Sequence, residues 1–283
     1  MSIPMYTAYN DFQIPQLGMG TYKLKGKMGV DAIAAALEIG YRYLDTAYNY
    51  ENEGTVGEAI RQSSVNREDI QVASKLPGRY HDYESALTTI EESLYRTGLN
   101  YFDLYLIHWP NPKQDQYVDA WKALIEAKKR GWVKEIGVSN FTQDYIERLI
   151  EETGEKPVLN QIELHPYFEQ AELLAYHQSQ GIITQAWCPL GRANEKVAES
   201  VLELPKIVTI AQKYGKTPAQ VILRWHLQRG VMAIPKSSKP ERLAENFDVF
   251  DFELTDEELA TISSYSRADG RLANQDPEEH EEF

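Results

Sequence analysis

Asp45, Tyr48, Tyr50, Lys75 and His108 are the residues whose types and spacing suggest chemistry. Each alone has an ordinary explanation: an aspartate caps a helix, a lysine ends a solvated strand, and a histidine within Leu106-Ile107-His108-Trp109-Pro110 fills a core. Brought together they would form a buried ion pair beside a phenol and an imidazole. A fold seldom keeps such a pair for stability alone, because burying charge is costly unless it is paired. Chemistry has a use for it. A phenol near pKa 10 is a poor proton donor at neutral pH, and an ammonium held beside it by a carboxylate draws that value towards the working range. One of the two tyrosines would then be a general acid, and spacing alone does not choose between them. A source of electrons is missing from the chain. There is no HExxH, GxGxxG or P-loop, no metal is expected, and Gly137-Val138-Ser139-Asn140-Phe141 fails GxSxG at its last position. Any dinucleotide would have to bind in a non-Rossmann manner.

These residues must be positioned by secondary structure, and its rhythm is regular. Short β-branched or aromatic runs alternate with amphipathic stretches almost from end to end, the pattern of parallel βαβ units. The expected strands are Leu17–Gly20, Tyr43–Asp45, Ile70–Ser74, Tyr101–Ile107, Glu135–Val138, Val158–Glu163, Ile182–Ala186 and Val231–Ile234. Helical spacing recurs in Val30-Ala32-Ile33-Ala36-Leu37, in Ala86-Leu87-Ile90-Leu94 and in Leu173-Leu174-His177. Gly40, Gly98, Gly131 and Gly181 stand where left-handed helix C-caps are expected. The fold class is therefore α/β, a (β/α)8 TIM barrel. Tyr6-Thr7-Ala8 and Phe12-Gln13-Ile14, flanking Asn10-Asp11, predict an N-terminal β-hairpin that plugs one end. Outside the repeats, Arg192–Leu204 lengthens the loop after the seventh strand. Thr255-Asp256-Glu257-Glu258 opens an extra C-terminal helix, running to Tyr265, through a capping box. A barrel of this kind places its chemistry at the C-terminal ends of its strands, where polar and aromatic residues recur here strand after strand.

The chain has 283 residues, close to the roughly 250 that one such barrel needs, and no linker divides it, so a single domain over 1–283 is expected. From about 268 to 283 the sequence turns acidic and polar, which predicts weak order. Against 29 Lys and Arg stand 43 Asp and Glu, a net charge of −14 that repels nucleic-acid phosphates and anionic lipid. No run is apolar enough to span a bilayer, Met1-Ser2-Ile3-Pro4-Met5 lacks the basic and apolar pattern expected of a secretory signal, and one cysteine, Cys188, cannot form an internal disulfide. These features point to a cytoplasmic monomer without nucleic-acid or membrane partners.

Longer motifs carry a more specific signal. Gly20-Thr21-Tyr22-Lys23, Gly40-Tyr41-Arg42-Tyr43-Leu44-Asp45-Thr46-Ala47 with Tyr48-Asn49-Tyr50-Glu51-Asn52-Glu53, and Ser74-Lys75-Leu76 occur in that order. They are followed by Asp103-Leu104-Tyr105-Leu106-Ile107-His108-Trp109-Pro110, Gly137-Val138-Ser139-Asn140-Phe141, Asn160-Gln161-Ile162-Glu163-Leu164-His165-Pro166 and Ile234-Pro235-Lys236-Ser237-Ser238. From about Phe12 to Tyr265 the sequence resembles the aldo-keto reductase superfamily, and within it the bacterial 2,5-diketo-D-gluconate reductase type. The resemblance implies a tetrad of Asp45, Tyr50, Lys75 and His108 in which Tyr50 is the proton donor, Lys75 held by Asp45 lowers its pKa, and His108 orients the substrate carbonyl. It implies hydride transfer from NADPH to an aldehyde or ketone, such as a small dicarbonyl, a keto sugar or an aromatic aldehyde. The activity would be of the alcohol dehydrogenase (NADP+) or diketogluconate reductase type.

The same resemblance distributes the cofactor contacts. Ser139, Asn140 and Gln161 would bind the nicotinamide carboxamide, Trp187 would stack on its ring, and Gly20 and Thr21 would lie beside it. Pro189, Leu190 and Gly191 would fold over the pyrophosphate, with Cys188 where relatives usually have serine. Lys236, Ser237 and Ser238 with Arg242, Glu245 and Asn246 resemble the adenosine 2′-phosphate clamp and adenine contacts. A lysine, hydroxyls and an arginine at a helix start also make an anion site on physical grounds. Tyr22, Asn49, His108 and Trp109 would line the substrate pocket, Tyr22 replacing a more usual tryptophan or phenylalanine. Proteins sharing this fold that bind NADPH chiefly as redox sensors offer a second reading, and a barrel hydrolase or isomerase without nicotinamide a third.

Overall fold

The computed structural model describes residues 3–191, 200–272 and 275–283. Strands β1 (Met5–Thr7) and β2 (Gln13–Pro15) form the expected antiparallel hairpin, with Tyr6 opposite Ile14. Eight parallel strands follow: β3 (Met19–Gly20), β4 (Tyr43–Asp45), β5 (Gln71–Leu76), β6 (Phe102–Ile107), β7 (Val133–Ser139), β8 (Leu159–Glu163), β9 (Ile183–Trp187) and β10 (Val231–Ala233). Each pairs with its sequence neighbour. A parallel bridge between Leu17 and Ala233 closes the ring, helped by bonds from Gly18 N–H to Ala233 O at 2.9 Å and from Gly20 N–H to Pro235 O at 3.2 Å.

Between the strands run α1 (Gly26–Ile39), α2 (Glu53–Gln62), α3 (Tyr83–Thr97), α4 (Tyr117–Lys129), α5 (Gln143–Thr153), α6 (Ala171–Gln180), α7 (Pro205–Tyr214) and α8 (Pro218–Gln228). Beyond β10 come α9 (Pro240–Phe247) and α10 (Asp256–Ser263). The capping box expected at α10 is formed: Thr255 Oγ1 accepts from Glu258 N–H while Glu258 Oε2 accepts from Thr255 N–H. Thr217 and Gln220 build a second one at α8. Gly98 and Gly181 take the left-handed cap conformation. Gly40 does not: its φ is 130°, and the Phe247 ring packs so close that a Cβ there would lie 2.8 Å from Cζ. Gly131 follows its helix cap, Arg130, with φ 76°. The expected loop extension at 192–204 lies outside the described residues over 192–199, and Val201–Glu203 is one 3-10 turn before α7. Among the described residues no helix is long and apolar enough to cross a membrane.

The two-residue period of a strand sorts the barrel interior by height. Tyr43, Ala73, Leu104, Leu159 and Ile183 pack inside with Ala8 and Ile14 of the hairpin region, forming an apolar floor. Two residues further along, the same parity turns polar on four of these strands, with Asp45 on β4, Lys75 on β5, Gln161 on β8 and Gln185 on β9 all buried, while β6 keeps Leu106. The alternate residues, among them Leu44, Val72, Tyr105 and Val138, face outward into the helical ring. Parity also explains why β5 runs on through Lys75 rather than ending at Ser74, since an ammonium with partners inside the barrel has no need of solvent. Where α2 crosses α3, Gly57 lies so close to the backbone that an added Cβ would be 1.8 Å from Thr97 O, and this approach fixes the helix that follows Tyr50.

Candidate active site

Asp45 and Lys75 occupy facing inward positions on adjacent strands, and their side chains meet. Lys75 Nζ donates to Asp45 Oδ2 at 2.8 Å, to Thr46 O at 2.7 Å and to Tyr50 Oη at 3.4 Å. Three acceptors match the three hydrogens of an ammonium. The other Asp45 oxygen accepts from Gln161 Nε2 at 2.7 Å, and Gln161 also bonds Gln185 Oε1. Burial draws Lys75 below its ordinary range, and the Asp45 carboxylate opposes that.

Tyr50 sits in a single 3-10 turn, Tyr48–Tyr50, just past β4. Its ring lies 4.8 Å from Lys75 Nζ, with Tyr22 edge-on at 5.0 Å and His108 edge-on at 5.8 Å. The expected pull of Lys75 on the phenol is outweighed. Burial first, then the carboxylates of Asp45 and Glu282, hold Tyr50 well above 10, because a phenolate there would be desolvated among negative charges. Tyr48 turns away: Arg96 Nη2 donates to its hydroxyl at 2.6 Å and the guanidinium covers its ring.

His108 directly follows β6 at the same level. Its Nδ1 lies 2.7 Å from Glu282 Oε1, which also accepts from Asn49 Nδ2 at 2.8 Å. The ring of Trp109 meets that of His280 at 4.4 Å. The acidic segment thus runs back across the strand ends. Between it and the barrel top lies a cavity of about 260 Å3 bordered by Asn140, Phe141, Glu163, Arg271 and Glu278.

A layer below, buried polar groups fix the loop that carries Tyr50. Asn52 Nδ2 donates to Thr21 O at 2.8 Å and Leu24 O at 3.0 Å, while Thr46 Oγ1 donates to Asn52 Oδ1 at 2.8 Å. Thr21 Oγ1 donates to Asp45 O at 2.9 Å, and Ser74 Oγ donates to the buried Glu53 at 2.6 Å. Asn52 and Glu53 stand in the quoted motif without an assigned role, and an amide and a carboxylate beside a glycine-bearing helix start were the available sign of this support.

The residues expected around a nicotinamide gather on one side of the mouth. Trp187 Nε1 donates to Asn140 Oδ1 at 2.7 Å, Asn140 Nδ2 donates to His108 O at 3.0 Å, and Ser139 Oγ donates to Gln161 O at 2.9 Å. Asn140 adopts φ 64°, which turns its amide back over β6. Beyond Trp187, Cys188 has φ 48° and Gly191 N–H closes a turn onto Cys188 O at 2.8 Å, with Pro189 and Leu190 between. The buried ring of His226 holds that loop by donating from Nε2 to Pro189 O at 3.0 Å.

Lys236 is exposed just before α9, and its ammonium is drawn below the usual range by partial burial and then by the charge of Lys23. Lys23 was quoted without a role; its convergence with Lys236 becomes visible only when the barrel closes Gly20 against Ile234. Ser237 Oγ accepts from Lys239 N–H at 3.1 Å, whereas Ser238 is partly buried and Arg242 is exposed on the first turn of α9. Asn246 is buried, and Glu245 is held by Thr217 Oγ1 at 2.8 Å.

The Aldo/keto reductase family matches residues 16–267. The chain is 49% identical over 282 residues to 2,5-diketo-D-gluconic acid reductase B of Corynebacterium sp., covering 100% of this chain and 99% of that one. It is 44% identical to the methylglyoxal reductase DkgA of Escherichia coli, covering 94% of each. Among solved structures, a variant of Gox0644 in complex with NADPH superposes with a TM-score of 0.92 at 41% identity, covering 99% of this chain and 100% of that one. The Bombyx mori aldo-keto reductase in complex with NADP gives 0.87 at 34%, covering 94% of each. With a closed eight-stranded barrel and likeness over nearly its whole length, the chain belongs to the aldo/keto reductase family.

Proposed function

We propose that the chain is a single-domain, monomeric, cytoplasmic NADPH-dependent reductase that converts aldehydes and ketones, including small dicarbonyls, keto sugars or aromatic aldehydes, to alcohols. The observation that carries this reading is the Lys75 ammonium, spread over Asp45, Thr46 O and Tyr50 Oη. Because Tyr50 accepts from Lys75, its own hydroxyl hydrogen is left to point elsewhere, towards the mouth that it shares with His108. Burial keeps that hydrogen on the phenol until a stronger base develops nearby. A carbonyl oxygen gaining negative charge is such a base. Tyr50 donates to it, and the Lys75 ammonium, 3.4 Å away, offsets the charge left on the phenolate. Asp45 keeps Lys75 charged and in place, and His108 holds the carbonyl oxygen towards Tyr50.

The chain's own residues fit a phosphorylated nicotinamide dinucleotide. Lys236 and Lys23 bring two positive charges to one place in a protein of net charge −14. Trp187 presents a half-buried ring anchored through its indole N–H. Ser139, Asn140, Gln161 and Trp187 would hold the nicotinamide, with Gly20 and Thr21 beside it. Pro189, Leu190 and Gly191 would cover the pyrophosphate. Lys236, Ser237, Ser238 and Arg242 would take the 2′-phosphate, with Glu245 and Asn246 near the adenine. When bound, the reduced nicotinamide supplies the hydride that no side chain can.

The test is the loss of NADPH absorbance with methylglyoxal, a diketo sugar acid and an aromatic aldehyde. Tyr50→Phe is expected to lower kcat by at least about a hundredfold, within the range general-acid catalysis contributes, while leaving NADPH affinity unchanged. Tyr48→Phe, which loses hydroxyl contacts to Arg96 and Tyr80, is expected to stay within about threefold. The reverse ranking would remove Tyr50 as the acid.

A further inference from the structure

Three of the side chains expected to meet substrate are taken up by the acidic segment. Glu282 Oε1 lies 2.7 Å from His108 Nδ1 and accepts from Asn49 Nδ2 at 2.8 Å, and Oε2 accepts from Gly78 N–H at 3.3 Å. His280 faces Trp109. The Glu282 backbone is fixed as well. Asn111 Nδ2 donates to its carbonyl at 2.8 Å and Asn111 Oδ1 accepts from its N–H at 3.1 Å, so one side-chain amide pairs with both backbone polar groups of the residue. This fit requires Gly78, where a Cβ would fall 2.0 Å from Asn111 Nδ2 and 2.5 Å from Glu282 O. The carboxylate is therefore held at the mouth by a built cradle. Its side chain is only 12% exposed. Burial pushes the Glu282 carboxyl up, but His108, Asn49 and Gly78 N–H together bring it below its ordinary value, so the negative charge persists.

A fixed carboxylate at this place acts on substrates in two ways. It occupies the hydrogen-bond donors that an incoming carboxylate would use, and it repels any like charge brought beside it in a site partly shielded from water. Neutral carbonyl compounds meet neither obstacle. We propose that Glu282 is a specificity-determining residue that selects neutral carbonyl substrates over carboxylate-bearing ones, an inference that rests on the reductase reading above. It separates the substrate classes named by the two relatives, placing this chain with the neutral dicarbonyl rather than with the sugar acid.

The experiment compares kcat/KM for 4-carboxybenzaldehyde with that for its methyl ester, which carries the same aldehyde without the charge, using the full chain and NADPH. Glu282→Gln preserves shape and the Asn111 clamp but removes the charge. The ratio of acid to ester is expected to rise by about tenfold, equivalent to about 1.4 kcal/mol. Glu282→Asp should return it towards the original value. Glu281→Gln removes one charge from the same segment at its contact with Lys113 N–H and should leave the ratio within about twofold. An unchanged ratio in Glu282→Gln, or an equal rise in Glu281→Gln, overturns the proposal while the reductase reading stands. Failure of the unmodified protein to oxidise NADPH with the ester, the acid or methylglyoxal overturns the reductase reading and this inference with it.

Discussion

Replacing Lys75 by methionine tests whether the ion pair inside the barrel is as isolated as its geometry indicates. Asp45 and Lys75 are 3% and 0% exposed, and their charges are 2.8 Å apart. At an effective dielectric constant of about 20, that separation corresponds to roughly 6 kcal/mol of attraction. Methionine relieves the desolvation of the ammonium but leaves the Asp45 carboxylate buried with only Gln161 Nε2 and no counter-charge. The expected net loss is about 3–5 kcal/mol, as for breaking other buried pairs from one side. For a chain of this size that is a fall in Tm of about 10 °C. The double variant Lys75→Met with Asp45→Asn removes both charges and keeps an oxygen to accept from Gln161, so it should recover most of the stability. It should recover none of the carbonyl reduction, since the Tyr50 phenolate would still lack its ammonium. Urea unfolding read by tryptophan fluorescence, with NADPH oxidation assayed on the same samples, gives both quantities. A loss below about 1 kcal/mol for Lys75→Met, or a double variant no more stable than the single one, would refute the description of the pair as buried and mutually dependent.

Two other outcomes follow from groups already described. Lys236→Ala should weaken NADPH by at least about tenfold while changing NADH by less than about threefold in fluorescence titrations, because only NADPH carries the 2′-phosphate; equal losses would remove that assignment. His177 and His226 are held to about 3 by burial, far below the ordinary 6.5, so the folded chain keeps them neutral where the unfolded chain is protonated. The sign follows: stability is complete above about pH 6.5 and is lost as pH falls, by up to about 1.4 kcal/mol per pH unit for each group. Urea midpoints that do not fall between pH 6.5 and 5 would contradict this.

Much of the frame could be read from the chain because it depends on local periodicity. Alternation of strand and helix announced the barrel, and Thr255 with Glu258 announced α10, since a capping box is closed by residues three apart. Inward parity was also available: counting by twos from Tyr43 and Ala73 reaches Asp45 and Lys75, which places the pair inside before any motif is consulted. Other parts have no local signature. Glu282 meets Asn49 across 233 positions, and nothing periodic marks one glutamate among several in an acidic run. The elevated Tyr50 pKa was misjudged for a related reason. A lysine nearby in sequence motifs implies attraction, but only coordinates reveal that the phenol is enclosed and lies near the carboxylates of Asp45 and Glu282. Lys23 and Lys236 converge only because the two ends of the sheet meet.

That meeting has a consequence for how the protein breathes. Adjacent barrel strands share at least two paired positions, as in β3 with β4 and β7 with β8, whereas the ends of the ring meet through one bridge, Leu17 with Ala233, and the bonds from Gly18 and Gly20 N–H. The ring is a zip fastener with few teeth engaged at its ends, and a seam with so little regular pairing is a place for local opening to begin. Gly20 and Lys236 flank that gap, the Lys236 Cβ lying 3.6 Å from where a Gly20 Cβ would stand. On the proposed reading, a dinucleotide laid across them would add contacts over the seam, and opening would become costlier as the site fills. Slow amide exchange at Gly18 and Gly20 and tight dinucleotide binding would then be two measures of one quantity, the closure of the seam.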